Sequence, residues 1–281
     1  MNSEETYSHQ AEVTVKPLTG WLNLRLQEVW EFRELMFFLI WRDIAVKYKQ
    51  TVIGIVWAVV QPLMAMVVFS VIFGRLAKLD SQGFPYEIFS YVGILPWQFF
   101  SNGVGNSAGS IVSANSTITK TYFPRLILPI AEIASGLVDF GIAFVILLGM
   151  MMWYQIPFTW RMLTIPLLLG VSFMIALAIG LWLAAWNVKY RDVKILTGFI
   201  LQFWQYATPV AYSSRLIPQK WLWLYRLNPM ATIIDGFRWA VLGTEIKRDL
   251  TVTISFAVVI ILFIGGVILF QNMERNFADV V

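Results

Sequence analysis

Residues 52–73 read VIGIVWAVVQPLMAMVVFSVIF, twenty-two residues without one charge. As a helix this stretch is about 33 Å long, enough to cross a hydrocarbon core of about 30 Å. Comparable charge-poor stretches recur downstream, so the sequence predicts an all-α polytopic membrane protein. Gln61-Pro62 falls mid-span, and the proline removes a rung of the backbone ladder there.

The rest of the composition agrees. Of 281 residues, 58% are hydrophobic and 14% charged, against about 25% charged in soluble domains. Thirteen Trp and ten Tyr suit aromatic belts at two membrane interfaces. There is no cysteine, which excludes disulfides and thiolate metal sites, and the one histidine, His9, stands in a polar tail. The net charge of +4 is better read as basic flanks facing lipid headgroups than as a nucleic-acid surface. The first twenty residues hold Glu4, Glu5 and Glu12 and no apolar run, so no cleavable signal is expected there.

Along the chain, residues 1–20 read as a flexible cytoplasmic tail and 21–50 as an interface helix with its connector. In 21–38, Leu22, Leu26, Val29 and Trp30 share one helical face, with Asn23, Gln27, Glu31 and Glu34 opposite. That pattern suits an amphipathic helix in the cytoplasmic interface or one packed on a soluble partner. The transmembrane domain occupies 51–275, with six spans at about 52–74, 88–108, 126–152, 162–186, 195–212 and 251–271. The second is uncharged yet polar and glycine-rich (GILPWQFFSNGVGNSAG), which suits close helix packing or a polar path more than lipid. Residues 213–250 are too polar and interrupted for a simple span, and 276–281 form a short tail. Broken helices entering the outer leaflet fit that region only where protein or a water-filled cavity covers the backbone. One side of the bilayer then carries twelve of the 21 Lys and Arg, against three opposite, or nine once 213–250 is included. The smaller count puts both termini in the cytoplasm; the larger leaves the orientation open.

The catalytic signatures are missing. There is no G-x-x-x-x-G-K-[ST], no Asp-x-Asp, no G-x-S-x-G and no H-E-x-x-H. The chain must conduct, or leave its chemistry to another subunit. A six-helix unit is small for a wide pore, which points to a dimer with its path near the subunit interface.

Six stretches in order carry a family resemblance: WRDIAVKYKQTVIGIVWAVVQPL at 41–63, FGRLAKL at 73–79, GILPWQFF at 93–100, TKTYFPRLILP at 119–129, NVKYRDVK at 187–194 and LNPM at 227–230. Their sequence and spacing resemble the ABC-2-type permeases that export polysaccharides and polyol phosphates, among them O-antigen, capsule and teichoic-acid permeases. The likeness covers about residues 30–275. It implies a half-transporter in the bacterial cytoplasmic (inner) membrane: two permease copies, two separate ABC ATPase subunits that hold the ATP and magnesium, and no cofactor in this chain. It implies export of a lipid-linked polysaccharide, O-antigen first. It further implies an N-terminal interface helix, a cytoplasmic coupling element between spans two and three, and two re-entrant helices forming an external gate before span six.

The candidate residues follow from both lines. The resemblance gives 109–125 as the coupling element, with Ile118, Lys120, Tyr122 and Phe123 as ATPase contacts; Arg191 and Asp192 are a second contact or simply positive-inside charge. Sugar C–H faces stack on aromatic rings, so Trp57, Phe69, Trp97, Phe100, Trp204, Tyr206 and Tyr212 are conduit candidates, with lipid contact and helix packing as the plainer role of each. In the gate, Arg215, Arg226, Asp235 and Arg238 pair with one another or meet a substrate phosphate. Asp139, deep in the third span, must be paired or wet. Glu132 is its one acidic neighbour in that span, so a hydrogen bond to another helix is favoured over an ion relay. An ion-coupled transporter using Asp139 and Glu132 is the rival from a different class.

Overall fold

The computed structural model describes residues 26–49, 52–114, 122–190, 192–245 and 250–274. Those residues form helices and connecting turns, with no strand among them. Four helical stretches are long and apolar enough to cross a membrane: Val56–Leu76, Ile127–Trp153, Trp160–Lys189 and Val252–Glu274.

The arm begins with α1 (Leu26–Glu31) and α2 (Arg33–Lys49). Its two sides differ from the amphipathic pattern expected. Val29 is buried at 9% exposure, but its neighbour Trp30 is 68% exposed. Leu39 is also buried, while Phe37, Phe38 and Trp41 stand exposed. The arm is apolar on both sides: an aliphatic stripe packs on the helix body and an aromatic stripe faces outward. A single 100° wedge could not reveal this, because the second stripe is offset by one residue.

Helix α3 (Val52–Phe69) continues through a π-helical segment, Ser70–Leu76. Pro62 lies within α3 and is buried. The chain returns as α4 (Tyr86–Ser113), the most enclosed helix, with Ile88–Trp97 buried without interruption. Polarity explains its place: Ser90, Ser107 and Ser110 are buried there and would be costly against lipid. Helices α5 (Ile127–Trp153) and α6 (Ile165–Lys189) flank α4 and make its most extensive contacts. Small residues permit the approach. A Cβ on Gly180 of α6 would lie 2.8 Å from the Ser107 Cβ, and one on Gly103 would touch Ile133 at 3.3 Å.

Helix α7 (Val193–Ala207) has only 15 residues, about 22 Å, shorter than a full crossing. Its outward side shows Ile195, Phe199 and Phe203. Two short 3₁₀ turns, Ser214–Leu216 and Gln219–Trp221, lead to α8 (Leu222–Arg226) and α9 (Pro229–Leu242). Asn228 caps α9 by accepting from the Met230 N–H at 3.2 Å, and Pro229 takes the first turn, where its missing N–H costs nothing. Gly243 ends α9 at φ 75°, a left-handed C-terminal cap that glycine adopts without strain. Helix α10 (Leu250–Glu274) closes on α6, where Trp182 donates to the Leu262 carbonyl at 3.0 Å.

Candidate conduit and coupling site

At one end of the bundle, the start of α9 organises an aromatic cluster. Asn228 Oδ1 accepts from Trp204 Nε1 at 3.1 Å, and Asn228 Nδ2 donates to Thr208 Oγ1 at 2.9 Å. Trp204 is thereby fixed edge-on to Phe100, at 5.3 Å between centroids, and to Trp97, at 6.4 Å. Trp97 and Phe100 are themselves buried. Beside them opens a bowl of about 530 Å³ walled by Trp204, Tyr212, Trp221 and Tyr225, with Asn228 as a polar group on its wall. Flat apolar rings and a side-chain amide suit the C–H faces and hydroxyls of a sugar.

The other aromatic candidates lie elsewhere. Phe69 is buried edge-on against Phe73 at 5.6 Å, and Trp57 and Tyr206 are exposed on the surface of the protomer. The structure thus brings together Trp97, Phe100, Trp204 and Tyr212 near one mouth and leaves Trp57, Phe69 and Tyr206 apart from the bowl wall.

Behind the bowl stands Arg238 of α9, wholly buried. Its Nη2 donates to the Val210 carbonyl at 2.8 Å and its Nη1 to the Tyr212 carbonyl at 3.0 Å. The guanidinium lies 3.8 Å from the Phe89 ring centroid, a cation–π stack in a site without water to compete. Asp235, one turn earlier, approaches Arg238 Nη1 at 3.9 Å. It also accepts from Tyr225 Oη at 3.3 Å. Both Arg238 terminal nitrogens are spent on interior carbonyls and only its buried Nε is left without a partner, so among the gate candidates it faces the interior and not an incoming phosphate. Arg215 bonds the exposed Glu245 at 3.1 Å; the side chain of Arg226 lies outside the description.

The opposite end gathers the loop before α5. Phe123 is buried and Tyr122 exposed. Arg125 ties the loop to the end of α10 through Nη1 to the Glu274 carbonyl at 2.7 Å and its own N–H to Glu274 Oε1 at 3.1 Å. Ile118, Lys120 and Arg191 lie outside the described residues. Asp192 precedes α7, and its carbonyl accepts from the Ile195 and Leu196 N–H groups at 3.0 Å. At the same end, Asn187 of α6 donates to the Ala108 carbonyl of α4 at 2.9 Å.

Asp139 of α5 meets the arm. Lys47 Nζ lies 2.5 Å from Asp139 Oδ2, and the Tyr48 hydroxyl donates to Asp139 Oδ1. Burial, then the bond to Asp139, holds the Tyr48 phenol above its ordinary pKa, so it stays a donor. Glu132 instead faces a cavity of about 450 Å³ between α2 and the adjoining ends of α4 and α5, shared with Arg42 and Asp43. Among the described residues no group of His, Cys, Asp and Glu is arranged to hold a metal.

Sequence reasoning passed over Tyr86, Gln82, Asn228 and Tyr225. Asn228 carried a signal, since Asn-Pro before an apolar helical run marks a helix start. The other three carried none, because their partners lie 125, 131 and 10 residues away.

Comparison with known proteins adds the lineage. The family described as ABC-2 type transporter matches residues 34–242. The O-antigen export system permease protein RfbA of Myxococcus xanthus is 27% identical over 257 residues, covering 90% of this chain and 98% of that protein. A Klebsiella pneumoniae protein of the same name is 27% identical over 247 residues, 85% of this chain and 92% of its own. The polysialic acid transport protein KpsM of Escherichia coli is 24% identical over 231 residues, 80% of this chain and 88% of its own.

Proposed function

The chain belongs to the ABC-2 type transporter family, as a multi-pass transport subunit and not an ATPase, and from that premise we propose that it is the permease of an ATP-driven exporter of a lipid-linked polysaccharide. O-antigen is the favoured polymer, ahead of capsular polysaccharide and teichoic acid. The observation that carries the reading is length: both O-antigen export relatives align over more than nine-tenths of themselves. The aromatic bowl with its polar Asn228 gives the same reading a chemistry.

In this account two copies sit in the bacterial inner membrane with both termini cytoplasmic, and each crosses six times, α4 included and the fifth crossing made by α7 together with residues 208–212. Two ABC ATPases dock below. The segment 109–125, whose start is the end of α4, receives their motion through Ile118, Lys120, Tyr122 and Phe123, with Arg191 and Asp192 as a second contact. Residues 213–250 form the external gate. The polymer slides past Trp204 and Tyr212 of each copy, with the buried Trp97 and Phe100 backing Trp204. Trp57 and Tyr206 join the path only where the second copy covers them, while Phe69 packs inside the protomer on Phe73. Work comes from the partner: nucleotide closes the ATPase pair, the loop moves, and the end of α10 moves with it because Arg125 anchors the loop to Glu274. The ion-coupled alternative loses ground, since Asp139 is already occupied by Lys47 and Tyr48.

The test is co-purification of the chain with the ATPase encoded beside it, followed by reconstitution. ATP-dependent movement of lipid-linked polymer is expected only with both subunits. Polymer flux driven by a proton or sodium gradient in the chain alone would refute the reading.

A further inference from the structure

Four consecutive residues before the broken segment are each held by a side chain from elsewhere. Val210 and Tyr212 give their carbonyls to Arg238. Ala211 gives its carbonyl to the Tyr86 hydroxyl. The Ser213 hydroxyl accepts from Gln82 Nε2 at 2.7 Å. Gln82 itself holds φ 59°, an uncommon backbone state for a residue with a side chain. Gly93 completes the fit, because a Cβ there would sit 2.8 Å from the Val210 oxygen and 3.0 Å from Arg238 Nη2.

The next residues are held differently. From Ser214 to Leu227 the chain is mostly exposed, with Leu216, Trp221, Trp223 and Leu224 outward. The far end of this lobe comes to a carboxylate: the Tyr225 hydroxyl donates to Asp235 at 3.3 Å, and Asp235 is 27% exposed. Asp235 and Arg238 lie one turn apart on α9 and work in opposite directions. One grips the interior and the other the lobe.

We propose that Arg238 is the positioning residue of the mouth: it fixes residues 210–213 as an immobile sill, so that opening is confined to the lobe 214–227, released when Tyr225 leaves Asp235. This rests on the reading of 213–250 as the external gate. A sill that carries Tyr212 keeps one wall of the bowl constant while Trp221 and Tyr225, on the other wall, move aside for the polymer.

The chain has no cysteine, so introduced pairs report alone. The experiment uses the full transporter in its producing host, with carbohydrate on intact cells read by periodate oxidation and hydrazide coupling against a deletion strain. Bridging Gln82→Cys with Ser213→Cys by a bifunctional thiol reagent should leave export within twofold of the unbridged pair. Bridging Tyr225→Cys with Asp235→Cys should cut export at least tenfold, with recovery when a cleavable bridge is reduced. Full export with the lobe bridged, or lost export with the sill bridged, overturns the proposal. A membrane-impermeant maleimide separates this from the gate reading: Trp223→Cys should label from outside. Labelling only from the cytoplasmic face overturns the gate reading and the proposal with it; outside labelling with a tolerated lobe bridge overturns the proposal alone. Arg238→Lys supplies a second measure, since one ammonium nitrogen on a flexible stem cannot take the places of the two guanidinium nitrogens that hold Val210 and Tyr212. It should raise the labelling rate of a cysteine at Val210 severalfold at unchanged protein level, and an unchanged rate is contrary to the proposal.

Discussion

Asp139 shows what a single residue's neighbours can and cannot be read from. The sequence demands a partner, because a carboxylate at that depth is costly alone. The partners, Lys47 and Tyr48, stand 92 and 91 residues away, and no local pattern links them. The pair is partly exposed, with side-chain exposures of 47% for Lys47 and 22% for Asp139, so its worth is modest. A double-mutant cycle of Lys47→Met and Asp139→Asn should give a coupling energy of about 1 kcal/mol in detergent thermal unfolding. Export by Asp139→Asn should persist, and a shift of export to gradient dependence would revive the ion-site reading. Trp204 offers a cleaner split. Trp204→Phe keeps the ring contacts but loses the bond to Asn228, at about 1 kcal/mol. Trp204→Ala removes the contacts with Trp97 and Phe100 as well, at about 3–5 kcal/mol. Chemical or thermal unfolding midpoints of the two variants check the order.

Helices were more legible than side chains. The long apolar spans could be read because charge-free length is a property of the segment alone. Helix α4 could be read as protein-facing from its serines and glycines, and it is buried between α5 and α6. The arm was harder: its two apolar stripes exceed what one amphipathic wheel describes, and Trp30 and Val29 parted company. The gate charges were hardest, because Arg238 answers to carbonyls 26 and 28 residues upstream. Helix packing supplies its own prediction. Gly180→Ala forces a Cβ to within 2.8 Å of Ser107 Cβ, whereas Gly109 has nothing within 4 Å of such an atom. Gly180→Ala should destabilise by about 1–3 kcal/mol by overpacking, and Gly109→Ala should be neutral or slightly stabilising through helix propensity. Melting the two variants side by side in one detergent checks this. For the loop before α5, Tyr122→Ala with Phe123→Ala should weaken ATPase association or coupling; export and ATP turnover that both match the parent would refute that role.

At the scale of the whole molecule, two arginines tie the chain at opposite ends. Arg125 ties the loop before α5 to α10 at one end, and Arg238 ties the sill to α9 at the other. Helices α4 and α6, packed through small residues, form the rigid link between them. The aromatic stripe of the arm and the outward face of α7 are its exposed apolar surfaces. Copy number and polymer identity were not legible, because both depend on groups outside this chain. The central claim is that the fuel is burned elsewhere. The most direct measurement is polymer movement and phosphate release in one set of proteoliposomes, with the permease alone, the ATPase alone and both together. The account predicts ATP-dependent polymer movement only in the combined vesicles and no phosphate release from the permease alone. Nucleotide hydrolysis by the purified permease, or polymer movement without its ATPase, would contradict it.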